Sequence, residues 1–197
     1  MKDLLQIRQD LLEVKFLRWD DLPDFGIYSD QVLTIVETQL SFLHLPENEL
    51  SITPAMINNY VKNGILDRPI KRKYYKPHIA KLIVISILKQ VLPLSDIQKG
   101  IELQIELQGV ERAYDTFCET LEESLQLVAT IRKDQNEQPH FSNMHPDNLA
   151  LSMVTLSVVS KLFTQLILSY NGVSNMIKNE GNDSNEKQKS CNISRFL

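Results

Sequence analysis

The residues best suited to chemistry form a run of cations in the middle of the chain. Seven lysines and arginines lie between Lys62 and Lys81, and Asp67 is the one acid among them. The whole chain has 21 basic and 25 acidic residues and a net charge of −4, so this run opposes the overall balance. A local excess of positive charge attracts polyanions, and a basic cluster of this kind indicates a surface for nucleic acid.

Polar side chains next to these cations could add sequence recognition. Asn58 and Asn59 follow each other, and an amide can donate to and accept from adenine at the same time. The cations would neutralise backbone phosphates, which gives affinity without sequence information. The predicted DNA-binding residues are Thr53, Asn58, Asn59, Lys62, Arg68, Lys71, Arg72, Lys73, Tyr75 and Lys76.

A short helix is expected to carry the first of these residues. Thr53 can cap a helix and Pro54 suits its first position, while Gly64 suits a left-handed end. The pattern predicts a recognition helix over 54–63, about 15 Å long, which fits the major groove of DNA. Four apolar residues at helical spacing would hold this helix on a core: Met56, Ile57, Tyr60 and Val61.

The cations that follow are expected on a wing, because 70–75 is too short for a helix and favours a small β-hairpin. Asp30 is predicted to cap the helix that comes before the recognition helix. Ser95 with Gln98 has the spacing of a capping box at the start of the helix over 96–107. The predicted fold class is all-α with a small β-wing, a winged helix-turn-helix followed by a C-terminal helical extension. The helices expected up to the wing and after it are 3–16, 30–43, 54–63, one that begins at Pro77, and 96–107.

One stretch resembles a known family of regulators. Residues 56–66, MINNYVKNGIL, look like the recognition-helix signature of the MerR regulators. Residues 72–82 and 94–97 resemble the wing and the following helix of that family. The resemblance implies a MerR-like winged helix-turn-helix in which Asn58 and Asn59 face DNA and Arg72 meets phosphate.

A second resemblance covers more of the chain. The runs at 18–23, 56–61 and 87–91 are similar to a bacterial family known only as a domain of unknown function. That similarity extends over roughly residues 18–165. It implies a regulator-like helical fold and brings no known reaction or ligand.

The chain changes character after Gly109. Apolar residues of 110–132 step by three or four with acids on the other faces, which predicts a long amphipathic helix. Segment 149–170 is apolar with one charge, Lys161, and its serines and threonines favour a buried helix over a membrane span. This surplus of apolar surface predicts packing on the winged domain or a homodimer.

These patterns divide the chain into a helix and connector over 1–29, a winged domain over 30–108, the helical extension over 109–170, and a disordered tail over 171–197. The predicted function is a sequence-specific DNA-binding transcriptional regulator, with double-stranded DNA and a second copy of the chain as partners. The alternative is a non-enzymatic helical interaction module that binds no nucleic acid. A third reading places an effector pocket among the C-terminal helices, for which the sequence identifies no ligand.

Signals for an enzyme or a metal site are weak. The sequence shows no glycine-rich phosphate loop and no G-x-S-x-G motif. His140 and His145 lie five apart without a third ligand, so no metal and no cofactor are predicted. Cys118 and Cys191 share no pattern, and 1–19 carries charges throughout, which favours a reduced, cytoplasmic protein.

Overall fold

Seven α-helices make up most of the residues that this computed structural model describes, which are 4–43, 52–130 and 146–172. Of these described residues, 74% are helical, so the all-α class predicted from the sequence is confirmed. The helices are α1 (Leu4–Glu13), α2 (Ser29–Leu40), α3 (Pro54–Lys62), α4 (Lys76–Leu88), α5 (Leu94–Gln108), α6 (Val110–Ala129) and α7 (Leu149–Ser169). Short 3-10 turns precede α2, follow α2 and precede α7.

Helices α4 and α6 form the centre of the molecule. Helix α6 packs against α1, α5 and α7, whereas α2 packs mainly on α4. Every residue of α4 from His78 to Leu88 is buried except Lys81, as expected for a helix that is apolar on all sides. All seven helices contribute side chains to one hydrophobic cluster. The helices therefore share a single core, and α3 lies at its edge.

Helix α7 has one face buried against α6. Ser124 of α6 donates through its hydroxyl to Thr155 Oγ1 of α7 at 2.9 Å, and both side chains are buried. Together with the turn before it, α7 is long and apolar enough to cross a membrane by length and composition alone. Within its most apolar window, 39% of the residues are buried inside the protein.

The chain between α1 and the first 3-10 turn has no regular structure and is held by a buried carboxylate of α6. Glu122 accepts a hydrogen bond from the Phe16 N–H at 3.0 Å. Its other oxygen accepts from Lys15 Nζ at 3.1 Å and from Arg18 Nη2 at 3.0 Å. Burial by itself would lower the pKa of Arg18, but the charge of Glu122, the neighbouring Cys118 and the hydrogen bonds to both together outweigh burial, and the pKa is raised. Glu122 thus pairs with a backbone N–H and with two cations of this segment.

The same segment is fixed at two further points. The Trp19 N–H donates to Asp115 Oδ1 at 2.8 Å, and the Leu17 N–H donates to Gln39 Oε1 at 2.8 Å. Asp115 and Glu122, which both lie on α6, are called the acidic clamp below. Burial raises the pKa of the neighbouring Cys118 to about 12, so its thiol stays protonated as a packed side chain.

The predicted β-wing is wrong, since no β-strand forms among the described residues. Two isolated antiparallel bridges stand in its place, one joining Ile70 to Lys73 and the other joining Ile27 to Tyr74. The segment between α3 and α4 folds back on itself for a single residue pair and then turns to pair with the N-terminal connector. It is therefore too short to build a ladder of its own.

Two predicted helix starts are also wrong. The N-cap of α2 is Tyr28, whose N–H donates to Gln31 Oε1 at 3.0 Å, so Asp30 lies in the first turn instead. Helix α5 begins at Leu94 after Pro93, before the expected capping box. In both places the chain uses a residue that ordinary capping preferences do not rank first.

Some predictions fall on residues outside the described ranges. They are His140 and His145, which were weighed as metal ligands, and the tail from 173 onward. The division of the chain into four parts stays a prediction.

Candidate nucleic-acid interface

Helix α3 has the cap and the inner face that the sequence predicts. Thr53 caps it, because the Met56 N–H donates to Thr53 Oγ1 at 3.3 Å. Gly64 follows the helix with φ +73°, a left-handed conformation that glycine adopts without strain. Ile57 and Tyr60 are buried, and burial raises the pKa of the Tyr60 hydroxyl. The helix is thus fixed to the core along one side.

The outer side of α3 is polar. Asn58, Asn59 and Lys62 are all exposed, and their spacing puts them on one face of the helix. Asn63 Nδ2 donates to Asn59 Oδ1 at 3.1 Å, which orients that amide. The two asparagines and the lysine therefore project together, away from the buried side of the helix.

The next cations lie on a tight turn. Ile70 and Lys73 exchange both backbone hydrogen bonds, at 3.0 and 2.9 Å. The two residues between them, Lys71 and Arg72, have φ +49° and +66°. Two consecutive left-handed residues inside a two-residue loop match a type I′ turn, which normally carries Asn-Gly or a similar pair. The chain places two exposed cations where glycine would be less strained.

The turn is anchored to the N-terminal connector and to α4. Ile27 and Tyr74 exchange two backbone hydrogen bonds, at 2.9 and 2.8 Å, and both side chains are buried. A Cβ added to Gly26 would lie 2.8 Å from the Lys73 Cβ, so the two backbones approach closely here. These contacts hold the turn against the N-terminal connector.

His78 of α4 connects the same segment at a second point. The Tyr75 N–H donates to His78 Nδ1 at 3.2 Å, and Nε2 of the ring lies 3.3 Å from the carbonyl oxygen of Arg68. Since Nδ1 accepts, Nε2 carries the proton and donates to that carbonyl. The ring therefore joins both ends of the loop, and it is itself buried.

Five of the predicted cations lie close together in the chain and have charges that no described residue matches. None of them makes an ion pair with the residues that the structure describes, and all are exposed except Lys73, which is half-buried. Lys73 Nζ lies 5.6 Å from the centre of the Tyr28 ring. They follow one another along the end of α3 and the turn, and they are called the basic surface below: Lys62, Arg68, Lys71, Arg72 and Lys73.

Two predicted site residues are held differently. Lys76 has 13% of its side chain exposed and pairs with Asp24 at 2.7 Å, so its charge is already matched. Tyr75 is half-buried, caps α4 and lies against Gly26. Lys81, which belongs to the same sequence run, pairs with Asp67 at 2.8 Å. That hydrogen bond lowers the pKa of Asp67.

A family model matches just over half of the chain. It covers residues 17–117 and carries the description Domain of unknown function (DUF1836). The chain belongs to the DUF1836 family. The matched range runs from the segment held by the acidic clamp to the first turns of α6, and it includes the basic surface. No curated protein and no solved structure matches the chain.

Sequence reasoning missed the residues that hold this DUF1836 surface in place. His78 is three residues after Tyr75, and that spacing is a signal for a side chain that returns to a helix start. Asp24 and Gly26 gave no signal, because their partners lie about fifty residues later in the chain. Such pairings depend on the fold and leave no local pattern.

Proposed function

We propose that this DUF1836 protein binds double-stranded DNA through the basic surface and acts as a transcriptional regulator. The observation that carries the proposal is the group of five cations with no acidic partner among the described residues. Cations that serve the fold are paired elsewhere in the molecule, as Lys76 and Lys81 are. The unpaired group is free to neutralise phosphates.

The strained turn supports the same proposal. Lys71 and Arg72 occupy left-handed conformations that cost a residue with a side chain on the order of 1 kcal/mol each. Asn-Gly would relieve that strain, yet the chain carries a lysine and an arginine at the tip. Strain of this kind concentrates at functional sites, and two cations on a short rigid projection suit contact with a phosphate backbone.

Helix α3 would supply base contacts. It has nine residues and is therefore about 14 Å long, which fits the width of the major groove. Asn58 and Asn59 would reach base edges, with Lys62 and the turn on the flanking phosphates. We propose that this arrangement corresponds to the MerR-like winged helix-turn-helix that the sequence resemblance implies, with a two-residue turn in the place of the wing.

The test replaces both turn cations, as Lys71→Glu with Arg72→Glu, and measures affinity for a pool of random duplex DNA against salt. For the natural protein, four to five phosphate contacts give log K against log salt a slope of about −4. The variant is expected to bind at least ten-fold more weakly, with a slope lower by about 2.

The matched control makes the same charge change elsewhere, as Lys99→Glu with Arg112→Glu, two exposed cations on α5 and α6. It should retain most of the affinity. Equal losses in the two variants would mean that net charge alone sets the binding, and the proposal would fail. Absence of binding by the natural protein at low salt would also end it.

A second candidate function is a protein-interaction module, favoured by exposed apolar side chains on α5 and α7. Leu103, Leu107 and Leu149 are each about half exposed, at 50%, 52% and 48%. Under the first proposal, a homodimer that covers the same side chains would present two α3 helices to successive turns of DNA, about 34 Å apart. Sedimentation at tens of micromolar separates a dimer from a monomer.

For both candidate functions we propose a cytoplasmic protein in which α7 packs on α6 and does not cross a membrane.

A further inference from the structure

A cleft lies between four helices on the side of the molecule formed by α4, α5, α6 and α7. Its volume is about 210 Å³, and its walls are almost entirely apolar. Protein interiors leave few voids larger than a water molecule, so a space of this size needs a reason. Exposed wall residues such as Leu103 show that one side of the cleft is open to solvent.

The cleft exists because each of the four helices presents a small residue to it. These residues are Ala80 of α4, Gly100 of α5, Ala113 of α6 and Ala150 of α7. Gly100 lies inside a helix, where glycine costs about 1 kcal/mol relative to alanine. A Cβ at this position would meet no atom within 4 Å. The space therefore results from the residue choices of four helices and is not a single packing gap.

The polar groups in the walls are already bonded to the protein. Gln104 donates to the Asp147 carbonyl at 3.2 Å and accepts from Gln108 at 2.8 Å. Lys81 donates to Asp67 at 2.8 Å, and Asp96, the acid that lines the cleft, pairs with Lys99 at 3.7 Å. A charged molecule inside the cleft would therefore meet charges that already have partners, and burying a further charge or polar group unpaired is costly.

The one hydroxyl among the wall residues, that of Tyr114, is fully buried. It lies beside Cys118 and Arg18, neither of which lines the cleft. The Tyr114 ring, with Phe117 next to it in the same wall, therefore offers an apolar surface.

We propose that this cleft is a binding site for a small, uncharged, apolar molecule of about eight to ten carbon atoms. The size follows by proportion, because an engineered apolar cavity of about 150 Å³ binds benzene. The chemical class follows from the walls, which are almost entirely apolar and whose charged side chains are already paired. The site is independent of DNA binding, since none of the five cations of the basic surface lines it.

The test compares two probes of similar size, ethylbenzene and benzoate, by the change each makes to the thermal midpoint of the full chain. Saturating ethylbenzene is expected to raise the midpoint by about 2–5 °C, because a ligand that binds only the folded state stabilises it. Benzoate is expected to leave the midpoint unchanged, because its charge would be buried without a partner.

Two variants fill the cleft from different helices, Gly100→Leu and Ala150→Leu, and each should abolish the response to ethylbenzene. The matched control is Lys99→Leu, which adds the same side chain at the neighbouring exposed position of α5 and should respond like the natural protein. Ala150 is itself exposed, so that variant should fold even where a leucine at position 100 disturbs α5.

Three results would overturn the proposal. Equal effects of ethylbenzene and benzoate would show that binding is not selected by the apolar walls. An unchanged response in Ala150→Leu would place the probe outside the cleft. A response that disappears at protein concentrations where copies associate would show that a second copy of the chain covers the cleft.

Discussion

The acidic clamp and the basic surface both gather charged side chains, but they use them in opposite ways. In the clamp, Glu122 has 9% of its side chain exposed and is bonded to two cations and a backbone N–H. On the basic surface, five cations have no acid among the described residues. A buried carboxylate is costly without partners, whereas an exposed cation stays solvated and available. Burial and partners, not the number of charges, separate charged groups that serve the fold from charged groups that are available to bind.

The sharpest way to break this contrast is Glu122→Gln. The amide cannot accept on both sides as the carboxylate does, so Phe16 N–H, Lys15 and Arg18 lose part of their bonding. The free energy of unfolding should fall by about 2–3 kcal/mol, since the pair is buried on one side and partly exposed on the other. Urea denaturation followed by circular dichroism measures it.

Two controls separate a clamp from ordinary charge effects. Glu119→Gln changes a glutamate on the same helix with 37% of its side chain exposed, and Arg72→Gln removes a cation of the basic surface. Each should change the free energy of unfolding by no more than about 0.5 kcal/mol. A loss in Arg72→Gln as large as that in Glu122→Gln would show that the basic surface is structural, against the proposed function.

A feature of the fold could be predicted from the sequence where it depends on residues close together in the chain. The cap at Thr53, the glycine end at Gly64 and the inner face with Ile57 and Tyr60 depend on neighbours within one helix, and all are confirmed. The prediction of a β-wing was wrong because the conformation of this segment depends on Ile27, which is 47 residues earlier in the chain than its bridge partner Tyr74. Strand pairing across such distances leaves no periodic pattern to find.

For the candidate site too, the sequence predicts local features and not the contacts between distant residues. The charge run predicts where the cations are, but not that Lys76 is taken up by Asp24 while Lys71 and Arg72 are left free. Glu122 was expected on a face of the helix away from its apolar side, and the structure places it in contact with the N-terminal segment. In both cases a contact between distant segments decides whether the charge is available.

Gly26→Ala tests how firmly the turn is docked. The added Cβ would lie 2.8 Å from both the Lys73 Cβ and the Tyr75 ring, so the connector and the turn must move apart. The free energy of unfolding should fall by about 1–2 kcal/mol, as for other overpacked sites. The same urea titration measures the change.

The matched control is Gly100→Ala on α5. A Cβ there meets nothing within 4 Å, and alanine is the better helix former, so stability should rise by up to about 1 kcal/mol. A loss for Gly26→Ala no larger than about 0.3 kcal/mol would mean that the turn moves freely against the connector. The basic surface would then be a flexible arm instead of a fixed one.

Replacing Lys71-Arg72 with Asn-Gly sharpens the comparison by trading function against stability. Both positions have positive φ, and Asn-Gly is the preferred pair for such a turn. The double variant should gain about 0.5–1 kcal/mol of stability and bind duplex DNA more weakly than the natural protein. A gain in stability with unchanged DNA affinity would remove these two residues from the interface, and a loss of stability would contradict the strain.

The smallest expected effect concerns Asp67, which pairs with Lys81 and lies next to the unpaired cations in the chain. Its pKa is lowered by the hydrogen bond from Lys81, so the ionised carboxylate stabilises the fold at neutral pH. That contribution is lost as the pH falls through the lowered pKa. Because 68% of the Asp67 side chain is exposed, Asp67→Asn should cost only a few tenths of a kcal/mol. The cost should vanish in acid.

A double-mutant cycle with Lys81→Met decides which of the two regions this pair resembles. An exposed ion pair is screened at about 1 M salt, where the Debye length is about 3 Å, so the coupling measured at low salt should disappear. A coupling that survives salt would mean that the pair acts by geometry, since Asp67 precedes the residue whose carbonyl His78 binds. Asp67 would then hold the basic surface in place much as the acidic clamp holds the N-terminal segment. Its role would be structural, like that of Glu122.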